Sequence, residues 1–129
     1  MLRYWTVKKG NKSVRKMEIL DKAGKTVENL ADATDIIFQI KKNKTDAAAL
    51  VEKTKGAGIE VNPPDPGPGI GYLRITLDPD DTETALSVGD YFMALEIEWT
   101  PTDIYEVNVR IDGIKTERLR VRQDIIRRT

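Results

Sequence analysis

The densest group of side chains able to do chemistry lies in LDPDDTETALSVGDYF, residues 77–92. Five carboxylates fall within these sixteen positions, and carboxylate oxygens are ligands that calcium takes in proteins. Their spacing departs from the D-x-D-x-D-G calcium loop, because the turn glycine and the distal bidentate glutamate are missing. The stretch is therefore either an oxygen-ligand metal site or a turn that joins two strands.

The turn interpretation accounts for more of these residues. Asp78 or Asp81 can accept hydrogen bonds from the free N–H groups of a short helical turn near 79–86, and acidic groups favour the positive end of such a turn. Leu86 then returns an apolar side chain to the core, and Gly89 permits the positive φ angle that reverses the chain. We predict a capped turn that does no chemistry. Its outer surface offers two candidate contacts for a basic partner, Asp80 and Glu83.

The chain contains no cysteine and no histidine. Disulfides, thiolate nucleophiles, Cys/His zinc sites and imidazole general bases are thereby excluded. We predict no enzymatic activity, no cofactor and no metal. No apolar run approaches the eighteen or so residues of a membrane span, and the first twelve residues lack the apolar segment of a secretory signal. We therefore expect no membrane association, and a protein that works where it is made or is packaged from there.

Two further groups of charged residues resemble sites. Glu96 and Glu98 alternate along one strand about 7 Å apart, a separation that superficially suits acid–base work. We interpret them instead as a solvated strand face that lies opposite arginines of a neighbouring strand. Those arginines are Arg118, Arg120 and Arg122.

The same arginines, with Arg127 and Arg128 in the basic tail 124–129, suit contacts to phosphate. Aromatic residues that would stack on bases are not interleaved with them, and the formal net charge of the chain is zero. We therefore do not predict nucleic-acid binding, and we interpret the tail as an anchoring arm for another protein.

Aromatic residues raise one alternative function. Tyr91, Trp99 and Tyr105 share the phase of the apolar residues in their strands, which favours core packing. Trp5 and Tyr72 lack that explanation, and exposed aromatic faces on a β-sandwich can stack on sugars. A carbohydrate-binding or host-adhesion module therefore stays open as the alternative.

Alternation of apolar and polar residues predicts β-strands along the whole chain. The Pro/Gly-rich loop 62–71 excludes helix and central strand, and no long helical period occurs elsewhere. We predict one domain over residues 1–129, an antiparallel all-β sandwich or barrel of about 7–9 strands. The predicted strands are YWTVKK, VRKMEIL, DIIFQIK, TDAAALVEK, GYLRITL, YFMALEIEW, IYEVNVRI and ERLRVRQ.

Charge is unevenly distributed. Residues 1–55 contain 13 Lys and Arg against 7 Asp and Glu, residues 56–109 contain 1 against 11, and residues 110–129 contain 7 against 3. The blocks carry +6, −10 and +4, which sum to the net charge of zero. Either oppositely charged strands neutralise one another, or separate acidic and basic surfaces serve self-association.

The order of these motifs resembles small Ig-like β-sandwich domains of tailed-phage virion proteins, including the N-terminal domain of the baseplate upper protein family. Four pieces carry the resemblance: VKKGNKSVRKMEILDKAGKTVENLADATDIIFQIKK, GYLRITL, DDTETALSVGDYFMALEI and VNVRIDGIKTERLRV. The matching positions are fold positions, none of them catalytic: Leu77, Asp81, Thr82, Leu86, Gly89, Tyr91, Asp112, Gly113 and the run from Leu119 to Val121.

The resemblance implies an Ig-like sandwich in a phage or prophage virion, at a baseplate, a tail or fibre attachment, or a head surface. Such a protein docks to other virion proteins in many copies, through strand edges, loop 62–71 and charged termini. We expect a homo-oligomer in which the acidic block of one copy faces a basic block of the next. The candidate contact residues are Asp80, Glu83, Arg118, Arg120, Arg122, Arg127 and Arg128.

Overall fold

A computed structural model describes residues 4–64 and 69–123. Ten strands make up its single sheet. They are β1 (Tyr4–Lys8), β2 (Ser13–Leu20), β3 (Asp35–Lys41), β4 (Val51–Lys55), β5 (Gly58–Val61), β6 (Tyr72–Leu77), β7 (Gly89–Thr100), β8 (Asp103–Ile111), β9 (Ile114–Lys115) and β10 (Arg118–Arg122). A 3₁₀ turn covers Leu30–Asp32 and a π-helical turn covers Asp81–Ala85. The prediction of an all-β fold is confirmed.

Seven of the strands close into a barrel. The pairing runs β7-β3-β4-β5-β6-β2-β8, and β8 returns to pair with β7. Three strands lie outside this ring. Strand β10 pairs with the beginning of β7, β1 pairs with β10, and β9 pairs with β8. The β1–β10 and β4–β5 pairs are parallel, and the others are antiparallel. The finer prediction, an Ig-like antiparallel sandwich of about 7–9 strands, is not clearly seen: the described residues form ten strands with two parallel pairs, and the pairing closes a barrel instead of two separate sheets.

Strand β7 is the longest, with twelve residues, and it pairs with three strands. Phe92 pairs with Lys41 of β3 and with Arg118 of β10. Farther along, β3 continues on the same edge of β7 while β8 takes the other edge. Strands β10 and β8 therefore pair with the same edge of β7, β10 near its beginning and β8 near its end.

The predicted alternation is confirmed in the core. Residues of one phase on β3, β6, β7, β8 and β10 are buried, and the intervening residues face outward. Trp5 is also buried, with its ring centroid 6.3 Å from that of Phe38. Trp99 and Tyr105 are half-buried against the same core. Trp5 therefore belongs to the core, and a sugar platform made of Trp5 and Tyr72 is wrong.

The segment before β4 differs from the prediction. TDAAALVEK was predicted as a strand over residues 45–53, but β4 begins only at Val51. Pairing with β3 begins at that residue, and Asp46 accepts a hydrogen bond from the backbone N–H of Asn43 (2.9 Å) in the turn before it. Alanine contributes little to a pleated, half-buried surface, so the alanine run stays outside the sheet.

Strand β5 was not predicted, because its four residues adjoin a Pro/Gly-rich segment that signals a loop. Residues 62–64 and 69–71 of that predicted loop lie outside strands, and residues 65–68 are outside the described part. Across the described residues, no helix has the length and apolar character needed to cross a membrane.

Candidate functional site

We call residues 78–85, between β6 and β7, the acidic turn. Its carboxylates hold it together and attach it to the barrel. An Oδ atom of Asp81 accepts a hydrogen bond from the backbone N–H of Asp78 (2.8 Å). This is one of the two hydrogen bonds of a capping box, the one in which the side chain three residues later bonds back to the first residue. Lys53 of β4 places its Nζ 2.7 Å from the same carboxylate. The short helical turn predicted near 79–86 is confirmed, with helical geometry beginning at Pro79. The predicted cap differs, because Asp81 accepts the N–H of Asp78 before the turn and no side chain caps the π-helical segment at Asp80.

Thr82 fixes the turn against the loop between β1 and β2. Its buried hydroxyl accepts the backbone N–H of Gly10 (3.1 Å) and lies 2.9 Å from the carbonyl oxygen of Asn11. The Nζ of Lys9 donates to the carbonyl of Glu83 (2.7 Å). Sequence reasoning missed Thr82, since a threonine inside an acidic run gives no sign that it is buried. These contacts make the turn a structural element.

Asp80 and Glu83 are exposed on the outer surface of this turn, as predicted. Among the residues that the structure describes, no three acidic groups are placed to hold a metal ion. Lys9 links this turn to β10, the strand that carries Arg118, Arg120 and Arg122, because the backbone N–H of Lys9 donates to the carbonyl of Arg122 (2.9 Å). Arg127 and Arg128 lie outside the described residues.

The predicted arginines form part of a basic–aromatic patch, which we define as Tyr4, Phe92, Arg118 and Arg120. The guanidinium carbon of Arg118 lies 4.2 Å from the centre of the Phe92 ring, and that of Arg120 lies 4.0 Å from the Tyr4 ring. Such stacking holds each cation over an aromatic face. The patch lies on the outer surface where β1, β10 and the beginning of β7 meet.

Arg120 is fully engaged inside this patch. Its Nε and one Nη donate to the two carboxylate oxygens of Asp90, at 2.7 and 3.2 Å. These hydrogen bonds hold the pKa of Asp90 below its usual range. Arg118 differs, because no hydrogen bond or salt bridge joins its guanidinium to another described residue, and its Nε is buried without a partner. Arg118 therefore keeps donors for an additional acceptor.

Toward the other end of β7, the same outer surface carries an acidic patch, which we define as Asp35, Glu96, Glu98 and Glu106. Glu98 lies directly opposite Asp35 of β3, and Glu96 lies directly opposite Glu106 of β8. Like charges directly opposite one another destabilise a sheet, by about 0.2–1 kcal/mol for a pair of this kind. No salt bridge reaches the patch from elsewhere in residues 4–64 and 69–123.

We predicted that Glu96 and Glu98 lie opposite the arginines of β10, and this prediction is wrong because the two strands overlap in a different register. Strand β10 does neighbour β7, but Arg118 pairs with Phe92 and Arg120 with Asp90. The glutamates lie beyond the end of β10, where β8 takes over that edge. The sequence pattern identifies which side chains share a face, but it does not fix how far two strands overlap.

A groove on the opposite outer surface, between β6, β2 and β8, contains four cationic side chains: Arg15, Lys16, Arg74 and Arg110. Most of them already have acidic or aromatic neighbours there. Burial raises the pKa of Glu18, but hydrogen bonds from Thr26 and Arg110 outweigh it, so this pKa lies below its usual range. Of these cations, Arg110 pairs with Glu18 and Arg74 with Glu60, whereas the Nε of Arg15 is buried without a partner.

Comparison of the chain with protein-family models, curated proteins and solved structures finds no match. The case for function therefore rests on the residues themselves. Of the candidate features, the outer surface of β7 combines one paired acid, Asp90, with an arginine at one end and carboxylates at the other end that no salt bridge reaches among the described residues.

The anchoring of the acidic turn gives a first prediction. We expect Thr82→Val to lower the free energy of unfolding by about 1–3 kcal/mol, because it leaves the Gly10 N–H and the Asn11 carbonyl without a partner. Thr84→Val, at an exposed position of the same turn, should change it by less than about 0.5 kcal/mol. Urea denaturation followed by circular dichroism measures both. Equal effects of the two variants would contradict the anchoring role of Thr82.

The opposed carboxylates give a second prediction. We expect Glu106→Gln to raise the free energy of unfolding of the monomer by roughly 0.2–1 kcal/mol, because it removes the repulsion from Glu96. The gain should shrink at high salt, which screens exposed charges. Glu28→Gln, at an exposed position outside the patch, is the matched control. Thermal unfolding at low and high salt tests this, and destabilisation by Glu106→Gln at low salt would contradict it.

Proposed function

We propose that this protein is a non-catalytic structural component that docks to other protein chains through the outer surface of β7. The observation that carries the proposal is the pair of like-charge contacts, Glu96 opposite Glu106 and Glu98 opposite Asp35. Asp35 and Glu98 accept hydrogen bonds from the Ile36 N–H and the Thr34 hydroxyl, but no salt bridge among the described residues reaches any of the four carboxylates. A bound partner that supplies positive charge would relieve the repulsion between them, and a surface of this kind is then selected for binding and not for stability.

The second half of the same surface supports docking as well. Arg118 lies flat on Phe92 and retains unused hydrogen-bond donors. Arginine and aromatic residues are enriched at the energetic centres of protein interfaces. A partner carboxylate could form a charge-assisted, bidentate contact with such a guanidinium. The two ends of β7 therefore offer complementary chemistry.

We further propose that the docking serves a phage or prophage virion. The support is the order of motifs shared with Ig-like virion domains, which fall on β2, β6, the acidic turn, β7 and the β8–β10 region. Many of these positions are buried or turn positions: Leu77, Thr82, Leu86, Tyr91, Gly113 and Leu119. Within a virion, other virion proteins and further copies of the chain are the expected partners.

Charge reversal on the acidic patch tests the docking proposal. We expect Glu96→Lys combined with Glu106→Lys to weaken self-association at least about tenfold at low salt, equivalent to about 1.4 kcal/mol, because it removes the attraction for a basic surface. Fluorescence anisotropy of a labelled chain titrated with unlabelled chain gives the dissociation constant.

The comparison variant combines Asp80→Lys with Glu83→Lys. It makes the same charge change on the acidic turn, and we expect it to leave the dissociation constant within about twofold of the unchanged chain. If this variant alone abolished association, the turn would be the docking surface. If the unchanged chain bound neither itself nor the products of neighbouring genes, the docking proposal would be wrong.

A further inference from the structure

The complementary patches lie on one surface, and this restricts how two copies can meet. Counting along β7, the outward residues are Asp90, Phe92, Ala94, Glu96 and Glu98. The basic–aromatic patch surrounds the first two and the acidic patch surrounds the last two. The small Ala94, next to the uncharged Gln39 of β3, lies at the midpoint.

From this arrangement we infer that two copies form a closed, two-fold symmetric dimer, face to face, with the axis passing beside Ala94 and running across β7. The inference rests on the proposed docking function and specifies its partner and symmetry. Rotation about this axis exchanges the two ends of β7, so Phe92 and Arg118 of each copy meet Glu96 and Glu106 of the other. Asp90 then faces Glu98, and its charge is balanced by Arg120 of its own chain. An axis parallel to β7 would instead place like charge over like charge.

Strand neighbours make the match more specific. Because β10 and β8 occupy the same side of β7, the rotation brings Arg118 of one copy over Glu106 of the other. Phe92 likewise meets Glu96. Arg118 has no hydrogen-bonded acceptor among the described residues, although Asp90 attracts it electrostatically. Glu106 lies directly opposite Glu96, another carboxylate.

A two-fold contact also fits the location of the patches better than the heterologous contact expected from the charge blocks. A chain of copies that grows head to tail needs complementary patches on different sides of the molecule. Here each copy would use both patches in one contact, and no complementary patch on this surface would remain for a third copy. The dimer is therefore closed.

The contact is small. The surface from Asp90 to Glu98 is about 26 Å long, and three strands are about 14 Å wide. This area is well below the roughly 800 Å² per partner of a standard interface. We expect a weak, concentration-dependent dimer that dissociates as added salt screens the charges.

The first test places a reactive group beside the proposed axis. The chain has no cysteine, so Ala94→Cys introduces a single thiol, and its symmetry mate should lie directly across the interface. A bifunctional maleimide that spans the roughly 10 Å between facing sheets should join two copies in high yield at low salt. Ala23→Cys, at an exposed turn position, should give only background crosslinking.

The second test uses complementary charge reversals. Arg118→Glu alone and Glu106→Arg alone should each lose self-association, because like charges then meet twice in every dimer. An equal mixture of the two variants should regain association, since both contacts become Glu opposite Arg. Multi-angle light scattering of the mixture should give the mass of two chains and no more.

The outcomes separate the inference from the proposed function. A mixture whose mass grows with concentration beyond two chains indicates a head-to-tail contact and overturns the dimer alone. If the chain self-associates but Ala94→Cys does not crosslink, or the mixture does not regain association, the contact uses another register or surface. Either result also overturns the proposed dimer. If no variant and no unchanged chain associates, both the dimer and docking between copies are wrong.

Discussion

The pairing of β7 with three strands is the constraint on which the rest of the molecule depends. One edge of β7 is covered by β3, and the other is shared by β10 at its beginning and β8 at its end. Contact with β8 closes the seven-stranded ring, and contact with β10 attaches the strand that carries the arginines. Burial of Tyr91, Met93, Leu95 and Ile97 stabilises this arrangement from inside the barrel.

The same pairing determines the chemistry of the outer surface. At the β10 end, acidic Asp90 is paired with Arg120 and Arg118 covers Phe92. At the β8 end, each glutamate has one acidic neighbour: Glu96 lies opposite Glu106 of β8, and Glu98 lies opposite Asp35 of β3. The inward residues of β7 pack in the core, while its outward residues lie near cations at one end and near other carboxylates at the other end. Like charges directly opposite one another destabilise the sheet of the lone chain, and in the proposed dimer the separated charges attract the second copy.

Much of the fold follows from local pattern, whereas the site depends on long-range register. The pattern predicted eight strands, of which only TDAAALVEK was largely misplaced, and the buried phase of β7. Asp78, Leu86 and Gly89 indicated the turn between β6 and β7. The pattern could not show that Arg118 would lie opposite Phe92 and not Glu96, because a shift by any even number of residues, here four, preserves every inward and outward position. Trp5 and Thr82 were unpredictable for a related reason: their partners, Phe38 and Gly10, are set by tertiary contacts.

The central claim is that separated charges on the outer surface of β7 hold two copies together. Sedimentation equilibrium of the unmodified chain, over a range of protein concentrations and at low and high salt, tests it most directly. The account predicts a mass that approaches two chains at high protein concentration and low salt, and that returns to one chain at high salt. A mass of one chain under every condition, or a mass that continues to rise beyond two, would contradict it.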